Sequence, residues 1–342
     1  MRNNDRLEVA VVVTPNSSLL SALLLIEPLR AANRLSGSSL FEHYFASVDG
    51  KDVKASNGLV ITVQRALTDV QRPSMACLVA SYDQPRVVKN ALFKGFRRFE
   101  RHGSILCAVD IGVVLLAEAG LVKDRRVSVH WEMLPAFLEK WSEIRATEEL
   151  YSIDRNLMTC GGHTASLDMM MAFITERLGP DLTRVVSNEM LTSGFRSPAT
   201  PQRHLAELEP WDQHPLLGRL IRKMNEQIEQ APKIDELTRT LKISRRQLEY
   251  LSQQYLNCSP GKYFLSLRLN RSRQLLLHTD SSIATVAAAS GFSSTSTFSR
   301  SFQRHFGVSP SSYRLRWRTT LSRPYIQSAS TMARDRPTRP LR

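Results

Sequence analysis

Residues Ser104–Gly120 read SILCAVDIGVVLLAEAG. Ser104–Val109 is apolar at almost every position, the pattern of a strand buried on both faces. Leu115–Ala119 continues as a helix that Gly120 closes as a C-cap. A buried strand that runs through a tight turn into a helix is where α/β enzymes expose a nucleophile. The residue at this elbow is Asp110.

The flanks extend the same alternation. Glu8–Pro15 (EVAVVVTP) is a β-branched run ended by Pro15 and Asn16, and His43–Val48, Ala76–Ser81 and Tyr151–Thr159 read as further strands. Leu19–Arg34, Pro85–His102 and Ala165–Leu178 have helical spacing, the second with basic residues outward and the third with Met169–Met171 as core. Strands apolar on both faces and separated by helices imply a parallel sheet covered by helices, an α/β fold.

At 342 residues the chain is long enough for two domains, taking roughly 100–200 residues for each. Its 42% hydrophobic and 23% charged residues exclude disorder throughout, collagen-like repetition and a disulfide scaffold. Cys77, Cys107, Cys160 and Cys258 lie far apart without a CxxC pair, which excludes a zinc knuckle and reads as reduced thiols of a cytosolic protein. No motif calls for a metal or a cofactor. No apolar run reaches the roughly 18 residues that a membrane span needs. Asp5 and Glu8 interrupt the first apolar stretch, which is therefore a strand and not a signal peptide, and a cytoplasmic location is expected.

Ser197–Pro215 (SPATPQRHLAELEPWDQHP) breaks the pattern with four prolines and reads as a linker. Beyond it nothing resembles a strand. Residues 7–197 are thus expected to form the α/β domain, 198–217 the linker, 218–317 an all-α domain, and 318–342 a disordered basic tail. Charge follows this division. Residues 1–217 hold 24 Lys and Arg against 25 Asp and Glu, a balance of −1, whereas residues 218–342 hold 22 against 7, a balance of +15. A near-neutral domain joined to a strongly basic one points to a polyanion partner for the second alone.

Ile234–Leu251 (IDELTRTLKISRRQLEYL) explains that partner. Ile234, Leu237 and Leu241 line a short helix, a turn follows, and Ser244 with Gln247 carries a capping signature for a second helix. There Leu248, Leu251 and Tyr255 face inward, while Arg246, Glu249, Tyr250 and Gln253 fall on the opposite face and Arg245 lies near the N-terminus. This is a helix-turn-helix arrangement. It returns about fifty residues on, where Ile283, Val286 and Ala287 precede a turn at Gly291-Phe292. Ser294–Phe306 then sets Phe298, Phe302 and Phe306 against Ser296, Ser299, Arg300 and Gln303. Tyr263–Leu277 reads as a connecting helix with Arg268, Arg271 and Arg273 available.

Residues 219–317 closely resemble the AraC/XylS type of DNA-binding domain, on ISRRQLEYLSQQYLNCSPGKYFLSLRLNRSRQLL and IATVAAASGFSSTSTFSRSFQRHFGVSPSSYR. The resemblance implies double-stranded operator DNA as partner, with both recognition helices entering successive major-groove faces. By position, Arg246, Glu249 and Tyr250 would face bases in the first unit, and Thr295, Ser296, Thr297, Ser299 and Arg300 in the second. Arg245, Arg268 and Arg304 are better placed for phosphates.

Residues 7–197 resemble the class I glutamine-amidotransferase-like, PfpI-type domain of GlxA-like regulators. The matching pieces are IEPLRAANRLSG, LLAEAGLVKDRRVSVHWE and SIDRNLMTCGGHTASLDMMMAFI. Enzymes of that fold carry a cysteine at the elbow, where this chain has Asp110. Cys107, three residues earlier in the strand, cannot substitute. Without a thiolate the expected role is sensing rather than catalysis. His130 follows where the fold's histidine partner lies. Glu27, Asp110 and Glu132 supply carboxylates, Trp131 an aromatic face, and Gly162 and His163 open a helix N-terminus for an anionic group. Cation plus carboxylate describes an amino acid, a betaine or carnitine, in line with GlxA-like regulators that carry the SVHWE and SIDRN segments. His163 and Asp110 both depart from the family pattern and leave the ligand open.

The expectation is a homodimeric, ligand-responsive activator of a catabolic operon, working with RNA polymerase and answering to a small nitrogenous metabolite. An active amidase or hydrolase with an attached DNA module is the alternative, and an architectural DNA binder a third.

Overall fold

The structure is a computed structural model that describes residues 6–82, 84–202, 215–230 and 234–321. It divides into two compact units that meet in sequence at Gln202 and Arg203.

In the first unit a seven-stranded sheet has the order β10-β11-β7-β6-β1-β2-β5. Its strands are β1 (Leu7–Val13), β2 (Phe41–Ser47), β5 (Arg65–Ala66), β6 (Met75–Ala80), β7 (Ile105–Asp110), β10 (Tyr151–Asp154) and β11 (Leu157–Cys160). Every pairing is parallel except β10 with β11. β1, β6 and β7 are almost wholly buried, as their continuous apolar runs require. Two short pairs lie apart from this sheet, β3 (Val53–Lys54) with β4 (Val60–Ile61) and β8 (Arg126–Ser128) with β9 (Arg145–Thr147).

The helices are α1 (Leu19–Ser36), α2 (Arg86–Arg101), α3 (Gly112–Glu118), α4 (Leu134–Lys140), α5 (Thr164–Leu178) and α6 (Pro180–Glu189). One core joins α1, α5 and α6 to the sheet face carrying Val9, Val11, Cys77, Cys107 and Met158, and Met169–Met171 lie inside it. The fold class is therefore as expected. One element differs. The single strand expected over Tyr151–Thr159 is a hairpin, because Arg155 takes a left-handed φ of 57° and the chain reverses through Arg155-Asn156.

The second unit is helical: α7 (Pro215–Glu226), α8 (Ile234–Leu241), α9 (Arg245–Leu256), α10 (Pro260–His278), α11 (Ile283–Ala289), α12 (Thr295–Phe306) and α13 (Pro310–Leu321). Leu217, Leu220, Met224, Leu237, Leu248 and Phe264 pack the first half. Phe292, Phe298 and Phe302 are buried in the second, where Phe302 also meets the ring of Tyr313 edge-on. Among the described residues no helix is long and apolar enough to cross a membrane. The first unit's packing runs through Gln202, five residues past the expected boundary, since Thr200 and Gln202 bond to Leu150 and Glu148. Most of the expected linker and all but the first residues of the expected tail lie outside the described residues.

Candidate functional site

Asp110 ends β7 beside Ala80 of β6, at the carboxyl edge of the sheet, where open α/β sheets place their sites. Its φ of 54° is left-handed, so the elbow is strained. The Ser21 hydroxyl of α1 donates to Asp110 Oδ2 at 3.1 Å and accepts the backbone N–H of His163 at 2.8 Å. Burial pushes the Asp110 carboxyl up to about 6, against the opposing pull of His163 and the Ser21 hydrogen bond.

The turn from β11 into α5 faces this carboxyl. Gly162 has a φ of 90°, and a Cβ there would lie 2.5 Å from the Asp110 carboxyl carbon. His163 caps α5 with a φ of 53°. Across from it, the His130 ring lies 6.5 Å from the His163 ring and 5.7 Å from that of Trp131. His130 Nδ1 accepts the Glu132 N–H at 3.3 Å, which leaves the ring proton on Nε2. Burial, aided by His163, pushes His130 down to about 4, so the imidazole is neutral at pH 7. Tyr82 joins the cluster: burial and the carboxylates of Asp110 and Glu132 raise its phenol above the usual range.

These groups lack a nucleophile of the usual strength. Cys107 is fully buried within β7, and its thiol is held high by the Cys77 hydrogen bond and by burial. Among the described residues, no group of His, Cys, Asp and Glu has the arrangement to hold a metal. What remains is two carboxylates, two imidazoles and aromatic surface gathered at a strained turn.

In the second unit, Ser244 caps α9 by accepting the Gln247 N–H at 3.1 Å. Arg245, Arg246, Glu249 and Tyr250 are exposed, Tyr250 at 65%. Ser294 caps α12 through the Thr297 N–H at 3.2 Å. Thr295, Ser296, Thr297, Arg300 and Arg304 are exposed there, and Ser299 is half-buried. Each unit thus presents the N-terminal turns of a short helix whose opposite face is locked in a core, the geometry of a recognition helix.

Residues 9–176 match the DJ-1/PfpI family and residues 237–316 match a helix-turn-helix domain. The HTH-type transcriptional regulator CdhR of Pseudomonas aeruginosa is 36% identical over 300 residues, covering 88% of this chain and 89% of that protein. The HTH-type transcriptional regulator GlxA of Rhizobium meliloti is 32% identical, covering 92% of this chain and 97% of that protein. The chain is a GlxA-like member of the AraC-family transcriptional regulators. A crystal structure of an AraC family transcriptional regulator from Pseudomonas putida shares the fold, with a TM-score of 0.50 and 21% identity over 54% of this chain and 100% of that one.

In this GlxA-like regulator two expected site residues stand elsewhere. Glu27 pairs with Arg30 at 2.7 Å and influences His43. A helix turns about 100° per residue, so Glu27 lies roughly 240° around α1 from Ser21 and is not brought to the elbow. Arg268 turns inward from α10. It donates to the carbonyls of Ser290 and Gly291, lies 4.1 Å over the Phe292 ring, and is not presented to a phosphate. Arg271 is likewise engaged, with Glu229 and the Ala289 carbonyl. Arg245 stays at the surface but is paired with Glu249 at 3.1 Å. Conversely Ser21, Tyr82 and Gln202 also lie at the candidate site, and no sequence signal marks them. Ser21 sits among helix-forming leucines, and Gln202 lies in a proline-rich stretch.

Proposed function

We propose that this regulator binds double-stranded operator DNA through α9 and α12 and uses its first unit as a non-catalytic sensor. The effector is a small amino-acid-like or quaternary-ammonium metabolite held at the Asp110 elbow. The regulator acts in the cytoplasm as a homodimer, working with RNA polymerase to activate a catabolic operon. The observation that carries the sensing role is the elbow itself. Where a thiolate would attack, a buried carboxyl is hydrogen-bonded by Ser21, with carboxylate, imidazole and aromatic groups around it. A carboxylate recognises a cation, and aromatic faces add cation–π attraction for a quaternary ammonium.

The test is thermal unfolding of the full chain against amino acids, betaines and carnitine. A ligand that binds only the folded state stabilises it by about 2.7 kcal/mol at a hundred times its Kd. A midpoint shift for one chemical class, lost in Asp110→Asn, supports the sensor. Hydrolysis of amide substrates that disappears in the same variant would replace it with an enzyme.

A further inference from the structure

The chain between α6 and the linker returns to the elbow. Arg196 is anchored on α5: its N–H and guanidinium reach the buried Asp168 at 2.6–3.0 Å, and its Nη2 reaches Thr164 at 2.8 Å, next to His163. Pro198 and Thr200 accept the Leu150 N–H, and Pro201 bridges Glu149. The segment ends at Gln202, whose side chain is fully engaged. Its Oε1 accepts the Trp131 N–H at 2.9 Å, and its Nε2 donates to the carbonyls of Val129 and Glu149, both at 2.9 Å.

Gln202 therefore touches both walls of the elbow site. Trp131 follows His130 directly. On the other side, a Cβ on Gly161 would lie 2.8 Å from Gln202 Oε1, while one on the adjacent Gly162 would lie 2.5 Å from the Asp110 carboxyl. Two consecutive glycines thus stand against the Gln202 amide and the carboxyl, and a side chain on either would displace its neighbour. Arg203, the next residue, begins the stretch that leads to the DNA-binding unit.

We propose that Gln202 is a positioning residue that latches the start of the linker to the elbow, so that occupancy of the elbow changes how firmly residues 196–202 are held. This rests on the elbow being the effector site. A ligand that prefers one arrangement of the His130–Trp131 loop or the Gly161–Gly162 turn shifts the latch by its differential affinity, and the coupling is reciprocal.

The test needs no effector. Trypsin cleaves after Arg196 only when residues 196–202 leave the domain surface, so the rate of that cleavage in the native full chain reads the latch. It is measured for the wild type, Asp110→Asn, Gln202→Ala and the double variant, with unfolding midpoints recorded for each. Gln202→Ala should accelerate cleavage about fivefold or more, Asp110→Asn should also change the rate, and the double variant should match Gln202→Ala alone. A rate unmoved by Asp110→Asn, or changes that simply multiply in the double variant, overturns the latch. Should Gln202→Ala unfold the domain, Gln202→Glu takes its place, because it keeps an acceptor for Trp131 and loses both donors. Failure of this cycle leaves the sensor reading intact, and a ligand panel without a hit leaves the cycle's result standing.

Discussion

Ser21 and Asp110, 89 residues apart in the chain, are joined by a 3.1 Å hydrogen bond, and the same Ser21 oxygen accepts the His163 N–H. One hydroxyl thereby ties α1, the strand–helix elbow and the α5 turn together. It gives the buried carboxyl one donor where full solvation would give several, so burial still dominates and Asp110 titrates near 6.

That value sets a pH dependence with two opposing parts. Asp110 rises from 3.8 to about 6, so the folded state holds the extra proton and this contribution falls as pH climbs through that window. His130 drops from 6.5 to about 4, so the unfolded chain holds the extra proton and this contribution rises over nearly the same window. The two largely cancel in the wild type. Asp110→Asn removes the falling part. The variant should be more stable than the wild type at pH 7 by roughly 1–3 kcal/mol and should lose stability on acidification below 6.5, where the wild type stays level. Urea unfolding from pH 4.5 to 7.5 checks this, and parallel profiles for the two proteins would refute it.

Arg268 acts as a clamp on the turn before α12. Its planar fork reaches two carbonyls while stacking on Phe292, which a lysine ammonium cannot do. Arg268→Lys should lower the stability of the DNA-binding unit by about 1–3 kcal/mol, and Arg268→Gln, which removes the charge, should leave the salt dependence of DNA binding unchanged. A salt slope reduced by about one would instead mark Arg268 as a phosphate contact.

Arg300 and Arg304 lie one helical turn apart and should separate in function. Arg300→Ala should cost about 1–3 kcal/mol on the preferred operator and little on random DNA. Arg304→Ala should weaken both alike. Titrations of each variant on both DNAs decide the matter, and equal losses for Arg300→Ala would remove it from base reading.

Uninterrupted apolar runs make β1, β6 and β7 readable, because strands buried on both faces are near-continuous in apolar residues. The β10–β11 hairpin was not readable: its turn is Arg155-Asn156, without glycine, and only the pairing with β7 shows why the chain reverses there. Two-residue strands such as β3 and β5 carry no period to detect. At the candidate site, Asp110, His130, Gly162 and His163 stand out in the sequence because they lie at junctions of elements. Gln202 does not, because its role depends on Trp131 and Glu149, 71 and 53 residues away. The inward turn of Arg268 was hidden for the same reason, since an arginine on a basic helix looks like surface until its carbonyl partners are known.

Gly291 is the other half of the Arg268 clamp. It takes a left-handed φ of 78°, and a Cβ there would collide with the Ile228 carbonyl and crowd the Arg268 guanidinium. Gly291→Ala therefore combines a strained backbone with a clash against backbone, which does not yield as a flexible side chain would. The expected loss is about 3 kcal/mol or more in the DNA-binding unit, with the first unit's unfolding unchanged. Because the carbonyl of Gly291 is also an Arg268 acceptor, the alanine should already loosen the clamp. Arg268→Ala added to Gly291→Ala should then cost clearly less than Arg268→Ala alone. Full additivity in that double variant would show that the turn and the arginine act independently.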